Sequence, residues 1–292
     1  MRVVGYYNAG YNDVIEKINL KALTHLNYAF LLPISDGNAY FKDEEDVKKT
    51  IKACRQANIK IYVSVGGSND GEKRLEKTFE SICDSENVLE KFIKNVMKIV
   101  DIYGFDGVDL DWEYPWKNYR EKFEKMVSLF RNSIDLKKKG FSIAIHRAVE
   151  GEYKFNRLES ITDKVIGMAD WINIMTYDDT EENNHSSLER NKKSLEYWSL
   201  NRNIPKDKLL TGIAFYARPS MKPYSEIIAD ADDSAFNDFF GKDSYNGSYT
   251  VEEKVMLGKN YGGIIIWAVN YDANSDNEHS LLNVIQDLTQ NT

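Results

Sequence analysis

The sequence predicts an α/β fold, a closed (β/α)8 TIM barrel built as a single domain. Three observations carry this. The chain has 292 residues, near the roughly 250 that one such barrel needs. Eight short apolar stretches recur along it, separated by longer segments with helical spacing. No linker, repeat, low-complexity tract or composition shift divides it, so residues 1–292 read as one unit.

The strands follow in order as "RVVGYY" (2–7), "HLNYAF" (25–30), "KIYVSVGG" (60–67), "GFDGVDLDWE" (104–113), "FSIAIH" (141–146), "DWINIMTYD" (170–178), "KLLTGIAFY" (208–216) and "GGIIIWAVN" (262–270). Helices are expected between them, as in "ENVLEKFIKNVMKIVDIY" (86–103), where Val88, Phe92, Val96 and Ile99 fall near one face. "YREKFEKMVSLFRNSIDLKKK" (119–139) is another. The last helix is expected to open at "TVEE" (250–253), with Thr250 and Glu253 as a capping box. An open doubly wound sheet is the competing architecture. It calls for a phosphate-cradling glycine loop after the first strand, which "GYYNAG" does not supply.

Composition narrows the partners. With 42% hydrophobic and 29% charged residues the chain reads as globular. A formal charge of −8 argues against nucleic acid or an anionic membrane and suits a neutral substrate. No apolar run reaches the ~18 residues of a membrane span. "MRVVGYY" passes straight into strand-like sequence, so the expected location is cytoplasmic if Met1 is native. It is secreted or at the cell envelope if a leader has been removed. Cys54 and Cys83 read as free structural thiols, and the four scattered histidines show no metal-ligand spacing.

The fourth strand holds the chemistry. Alternation puts Asp109, Asp111 and Glu113 on one face and Val108, Leu110 and Trp112 on the other. In a barrel the apolar set meets the helices. The acids then climb inward to the C-terminal rim, with Glu113 uppermost, where such barrels place their active sites. Asp106 is out of phase and belongs to the strand entry. A half-exposed antiparallel strand is the bland alternative, but this one lies between two long helical runs. Three carboxylates two residues apart cannot all ionise cheaply in the interior, so at least one pKa is expected to rise. Such a stack suits a general acid for a glycosidic oxygen.

"DGVDLDWE" (106–113) resembles the DxxDxDxE signature of family 18 glycoside hydrolases, the chitinase family. "SVGG" (64–67) resembles its SxGG, "MTYD" (175–178) its MxYD, "GIAFYAR" (212–218) its seventh-strand motif, and "IIIWAVNYD" (264–272) its eighth strand. The set runs in order over nearly the whole chain. Ala214 and Ala217 stand where the family often has Pro and Gly. The fifth strand, "AIHRAVEG" (144–151), fits weakly; His146 could reach the site or simply fill a structural position.

The resemblance implies hydrolysis of β-1,4-linked N-acetylglucosamine without a metal or other cofactor. The substrate's own 2-acetamido oxygen would be the nucleophile, a recognised exception to the two-carboxylate rule. Glu113 would be acid and then base, Asp111 would hold the acetamido N–H, and Asp109 would share a proton with Asp111. Tyr177 would donate to the acetamido oxygen, with Asp178 helping to position it. Trp267 would floor the subsite, lined by Tyr6, Phe30, Met175 and Tyr216. Arg218 would bond a sugar or a rim acid, and Trp116 would stack on a neighbouring sugar.

Only 46 residues separate Tyr216 from Gly262. Many members of the family it resembles insert a small α+β domain here; this stretch lacks room for a full one, so the resemblance implies a shallower, more open groove suited to endo cleavage or short oligomers. An endo-β-N-acetylglucosaminidase acting on N-glycan cores, a peptidoglycan or spore-cortex hydrolase, and a non-catalytic chitin lectin remain alternatives. The expected partner is an N-acetylglucosamine oligo- or polysaccharide, and the expected state a monomer.

Overall fold

Alternation in each apolar stretch decides which side chains fill the barrel and which meet the surrounding helices. The structure is a computed structural model and describes residues 1–12, 14–148, 158–179, 183–230 and 232–290. Among the described residues, eight strands build the barrel: β1 (Arg2–Asn8), β2 (His25–Pro33), β3 (Lys60–Gly67), β4 (Gly107–Trp112), β5 (Gly140–His146), β6 (Trp171–Met175), β7 (Leu209–Ala214) and β8 (Gly263–Trp267); a short strand, Ala39–Tyr40, adds antiparallel to the end of β2. Each barrel strand runs parallel to the next, and β8 closes on β1 with Trp267 opposite Tyr6. The sheet is therefore a closed barrel, not a doubly wound layer. Predicted strand ends at 104–106, 113, 176–178, 215–216 and 268–270 leave the ladder. All but the first of these lie past the C-terminal ends of their strands, on the rim that forms the site.

The outer layer comprises α1 (Glu44–Gln56), α2 (Glu76–Cys83), α3 (Glu86–Tyr103), α4 (Arg120–Lys137), α5 (Asp163–Met168), α6 (Leu188–Glu196), α7 (Tyr224–Asp230), α8 (Ser248–Lys259) and α9 (Leu281–Gln290). In α3, Phe92 and Val96 are fully buried, while Val88 and Ile99 flank them half-buried. Gly104, at φ 75°, ends the helix in the left-handed region. Trp112 faces outward from β4, stacked on Phe79 at 5.1 Å. Cys54 and Cys83 are free and buried.

A separate inner core fills the barrel, with Val4, Tyr62, Trp171, Leu210 and Ile265 among its members. Glycine makes room for it: a Cβ on Gly140 would lie 1.6 Å from the Tyr62 hydroxyl. Asp106 sits just before β4. Its Oδ2 accepts from the Ile61 amide at 2.8 Å and from Arg55 at 2.7 Å, fastening the strand entry to β3 and α1.

One local expectation is corrected. Helix α8 starts at Ser248 with Gly247 as its N-cap, so Thr250 is already inside it. Asp238 explains the earlier start: its Oδ1 accepts from the Gly247 amide at 2.9 Å and its Oδ2 from Thr250 Oγ1 at 2.7 Å. The predicted capping box does not form, and α9, not α8, ends the fold. Between Tyr216 and Gly262 the described residues form α7, a small hairpin pairing Phe239–Phe240 with Asp243–Ser244, and α8.

Candidate active site

β4 sends Asp109 and Asp111 into the barrel, where both are buried, and Glu113 follows half-buried at the rim. Strand register surrounds Asp109 with donors, since Ser64 of β3 and Ser142 of β5 lie directly beside it. Its Oδ2 accepts from the Tyr6 hydroxyl at 2.9 Å and Ser64 Oγ at 2.8 Å. Its Oδ1 accepts from Ser142 Oγ at 2.7 Å and Asn173 Nδ2 at 2.9 Å. Burial raises its pKa, and these four bonds pull in the opposite direction.

Asp111 has no such shell. Its Oδ1 is buried without a hydrogen-bond partner. Burial, then the charge of Glu113, then that of Asp109 push its pKa well above the usual carboxylate range. No hydrogen bond joins Asp109 to Asp111 among the described residues, because donors already occupy both Asp109 oxygens. β3 approaches Asp111 through Gly66, at φ 121°, where a Cβ would lie 2.1 Å from the Asp111 carbonyl oxygen.

Tyr177 leaves β6 pointing into the same space. Burial and the charges of Asp111 and Glu113 hold its phenol protonated, as a donor. Asp178 follows at φ 59°. Its Oδ1 accepts from the Tyr216 hydroxyl at 2.5 Å and Arg218 Nε at 2.8 Å. Burial raises its pKa, but the surrounding hydrogen bonds outweigh that and hold it well below the usual range. His185 lies behind: its Nδ1 accepts from the Asp178 amide at 3.3 Å, and its Nε2 donates to the Tyr216 carbonyl at 3.1 Å.

A cavity of about 380 Å³ brings together Tyr6, Asp111, Glu113, Met175, Tyr177, Asp178, Tyr216, Arg218 and Trp267. Trp267 lies 5.7 Å from Tyr6 and stacks on Phe30 at 5.6 Å. Phe30 lines an adjoining cavity of about 240 Å³ that shares the Trp267 wall. Asp109 lies below, reached through Tyr6. Trp116 is not brought to either cavity; its Nε1 donates to Glu76 of α2 at 2.7 Å. Its neighbour Glu76 is far away in sequence, so nothing local signalled this.

His146 does reach the main cavity, with Tyr114 edge-on at 5.1 Å. Residues 149–151 of the weak fifth-strand motif lie outside the described residues. Sequence reading also passed over Ser142, Asn173 and His185. The first two could have been found by alternation, as polar residues facing inward on β5 and β6; His185, in a loop, carried no signal. A buried ion-pair cluster and a buried lysine support the β6 exit. Arg147 and Arg190 flank Asp179 at 3.3 and 2.8 Å. Lys254 donates to the Ser186 carbonyl (2.6 Å), Ser186 Oγ (2.8 Å) and Asn246 Oδ1 (2.9 Å), and burial pushes its pKa down to about 7. No cluster of His, Cys, Asp or Glu among the described residues could hold a metal ion.

The family model described as glycosyl hydrolases family 18 matches residues 2–272. The solved chitinase ChiB from the chitin utilization locus of Flavobacterium johnsoniae is 31% identical, with a TM-score of 0.86 over 98% of this chain and 93% of that one. A Cycas revoluta chitinase solved with (GlcNAc)3 superposes with a TM-score of 0.85 over 99% of both chains at 22% identity, a likeness of fold. The endochitinase of Manduca sexta is 27% identical over 70% of this chain. The chain spans 41% of that relative's length, and from 10% to 72% of the length of other curated relatives. By its family match and its closed barrel, this chain belongs to family 18 of the glycosyl hydrolases.

Proposed function

We propose that this protein is a retaining glycosidase that hydrolyses β-1,4 linkages of N-acetylglucosamine oligomers by substrate-assisted catalysis. The observation that carries the reading is the division of labour among the acids lining the main cavity. Glu113 stands at the rim, Asp111 is buried beneath it, and Asp178 is engaged by Tyr216 and Arg218. Beyond Glu113, the buried Asp111 and the engaged Asp178, the described lining residues offer no further carboxylate, so the 2-acetamido oxygen is the nucleophile in this reading.

Glu113 gives its proton to the glycosidic oxygen as the C1–O bond breaks. The acetamido oxygen bonds to C1 and forms an oxazolinium ion. Asp111 accepts the acetamido N–H and balances the positive charge, and Tyr177 donates to the acetamido oxygen. Water then attacks C1, its proton passes to Glu113, and the acetamido group is released. Trp267 supports the sugar's apolar face. The short segment between Tyr216 and Gly262 supports an open groove and endo cleavage.

The test is Glu113→Gln with an aryl chitotrioside. The expected loss of turnover is about 10²–10⁴-fold; near wild-type turnover sinks the mechanism. A parallel assay with a glycoprotein substrate separates the N-glycan-core activity. Retained oligosaccharide binding by the unmodified protein, with no hydrolysis of either substrate, assigns it a binding role instead.

A further inference from the structure

The opposite, N-terminal end of the barrel holds a cavity of about 950 Å³. Its wall carries seven cationic side chains against three carboxylates, in a chain whose formal charge is −8. Arg2 and Lys60 come from the starts of β1 and β3. Arg131, Lys137, Lys138 and Lys139 come from the end of α4 and the turn after it, and Lys208 from the approach to β7.

The carboxylates are already engaged. Asp170 and Asp135 both accept from Arg131, at 3.0 and 2.5 Å, and Asp106 accepts from Arg55. Several cations have partners too: Lys208 donates to the carbonyls of Ile166, Gly167 and Ala169, Lys139 to that of Phe105, and Lys137 pairs with Asp101. The ammonium groups of Lys60 and Lys138 have no partner among the described residues, and both are exposed. On the cavity floor His25 is buried against Tyr62 and Trp171. Burial, then Lys60, then Arg2 push its pKa down to about 4, so the floor is neutral and the wall cationic.

Crowding like charges in a concave wall costs stability and concentrates counter-ions. Ammonium groups act as point charges that can surround a tetrahedral oxyanion, whereas a planar carboxylate favours an arginine fork. The Arg131 fork is taken up by Asp135 and Asp170, and five of the seven cations are lysines. We infer that this cavity binds a multivalent phosphate group. It opens at the end of the barrel opposite Glu113, so its ligand and a glycan can be held together. Two sources share the chemistry: a free polyphosphate and a phosphate-bearing surface.

The test titrates inorganic tripolyphosphate into the full chain by calorimetry at low and moderate salt. A Lys60→Ala/Lys138→Asn double variant is compared; asparagine tolerates the positive φ of 52° at position 138. Saturable binding that weakens with salt is expected, with affinity reduced about tenfold in the variant. An unchanged thermal midpoint shows that the variant is folded. Absence of saturable binding, or equal affinity in the folded variant, overturns the inference. Co-sedimentation with phosphatidic acid vesicles, whose headgroup is a phosphomonoester, against phosphatidylcholine, resolves the source. Pelleting that tripolyphosphate reverses assigns a surface; tripolyphosphate binding without pelleting assigns a free polyanion.

Discussion

Replacing Asp111 by asparagine is expected to stabilise the protein while disabling it. Asp111 is 2% exposed, its Oδ1 has no partner, and Glu113 and Asp109 add like charge. A carboxyl whose folded pKa is raised contributes most to stability below its unfolded pKa. That contribution is lost as pH rises through the folded value. At about pH 4 the buried group is protonated and nearly isosteric with asparagine, so the two proteins should be close in stability. Toward about pH 8 the unfolded carboxyl is ionised, so the wild type alone must either keep a proton that the unfolded chain releases or hold a charge at a buried site. Leaving a buried polar group unsatisfied costs about 1–3 kcal/mol, more when it is charged, so the variant should gain about that much at pH 8 relative to pH 4. Guanidinium unfolding of both proteins at each pH measures the double difference. Turnover should fall about 10²–10³-fold, because the amide cannot balance the oxazolinium charge. A stability gap that stays constant or shrinks with rising pH would refute the argument.

Tyr177→Phe should lower kcat about 10–100-fold with little change in unfolding free energy, since its phenol forms no intramolecular hydrogen bond among the described residues. Steady-state kinetics and denaturant unfolding check both halves. Trp267→Ala should raise KM about tenfold by removing the stacking surface shared by the two cavities; a selective loss of kcat at unchanged KM would count against a floor role. Lys254→Met should abolish a pH-dependent gain. With a folded pKa of about 7 against an ordinary value near 10, the unfolded wild type binds more protons in that window, so wild-type stability rises with pH there and the variant's should not.

Much of this protein follows from periodicity. Side chains alternate along a strand whatever surrounds it, so Asp109, Asp111 and Glu113 could be assigned to one face and Val108, Leu110 and Trp112 to the other before any contact was known. The order of eight strand–helix units implied closure, and the ordered motifs carried the family resemblance. Local spacing says nothing, however, about partners remote in the chain. Asp109 is surrounded by Tyr6, Ser64, Ser142 and Asn173 from four other strands. That shell, which supplies donors to both oxygens, exists only because barrel closure brings those strands to one level. Trp116 went to Glu76, Asp178 to Tyr216 and Arg218, and the cationic residues 2, 60, 131, 137–139 and 208 gathered at the opposite end for the same reason. The local pattern established which faces could carry chemistry. Closure of the barrel decided which charges meet, because hydrogen bonds and Coulomb interactions depend on distance in space and not on separation along the chain.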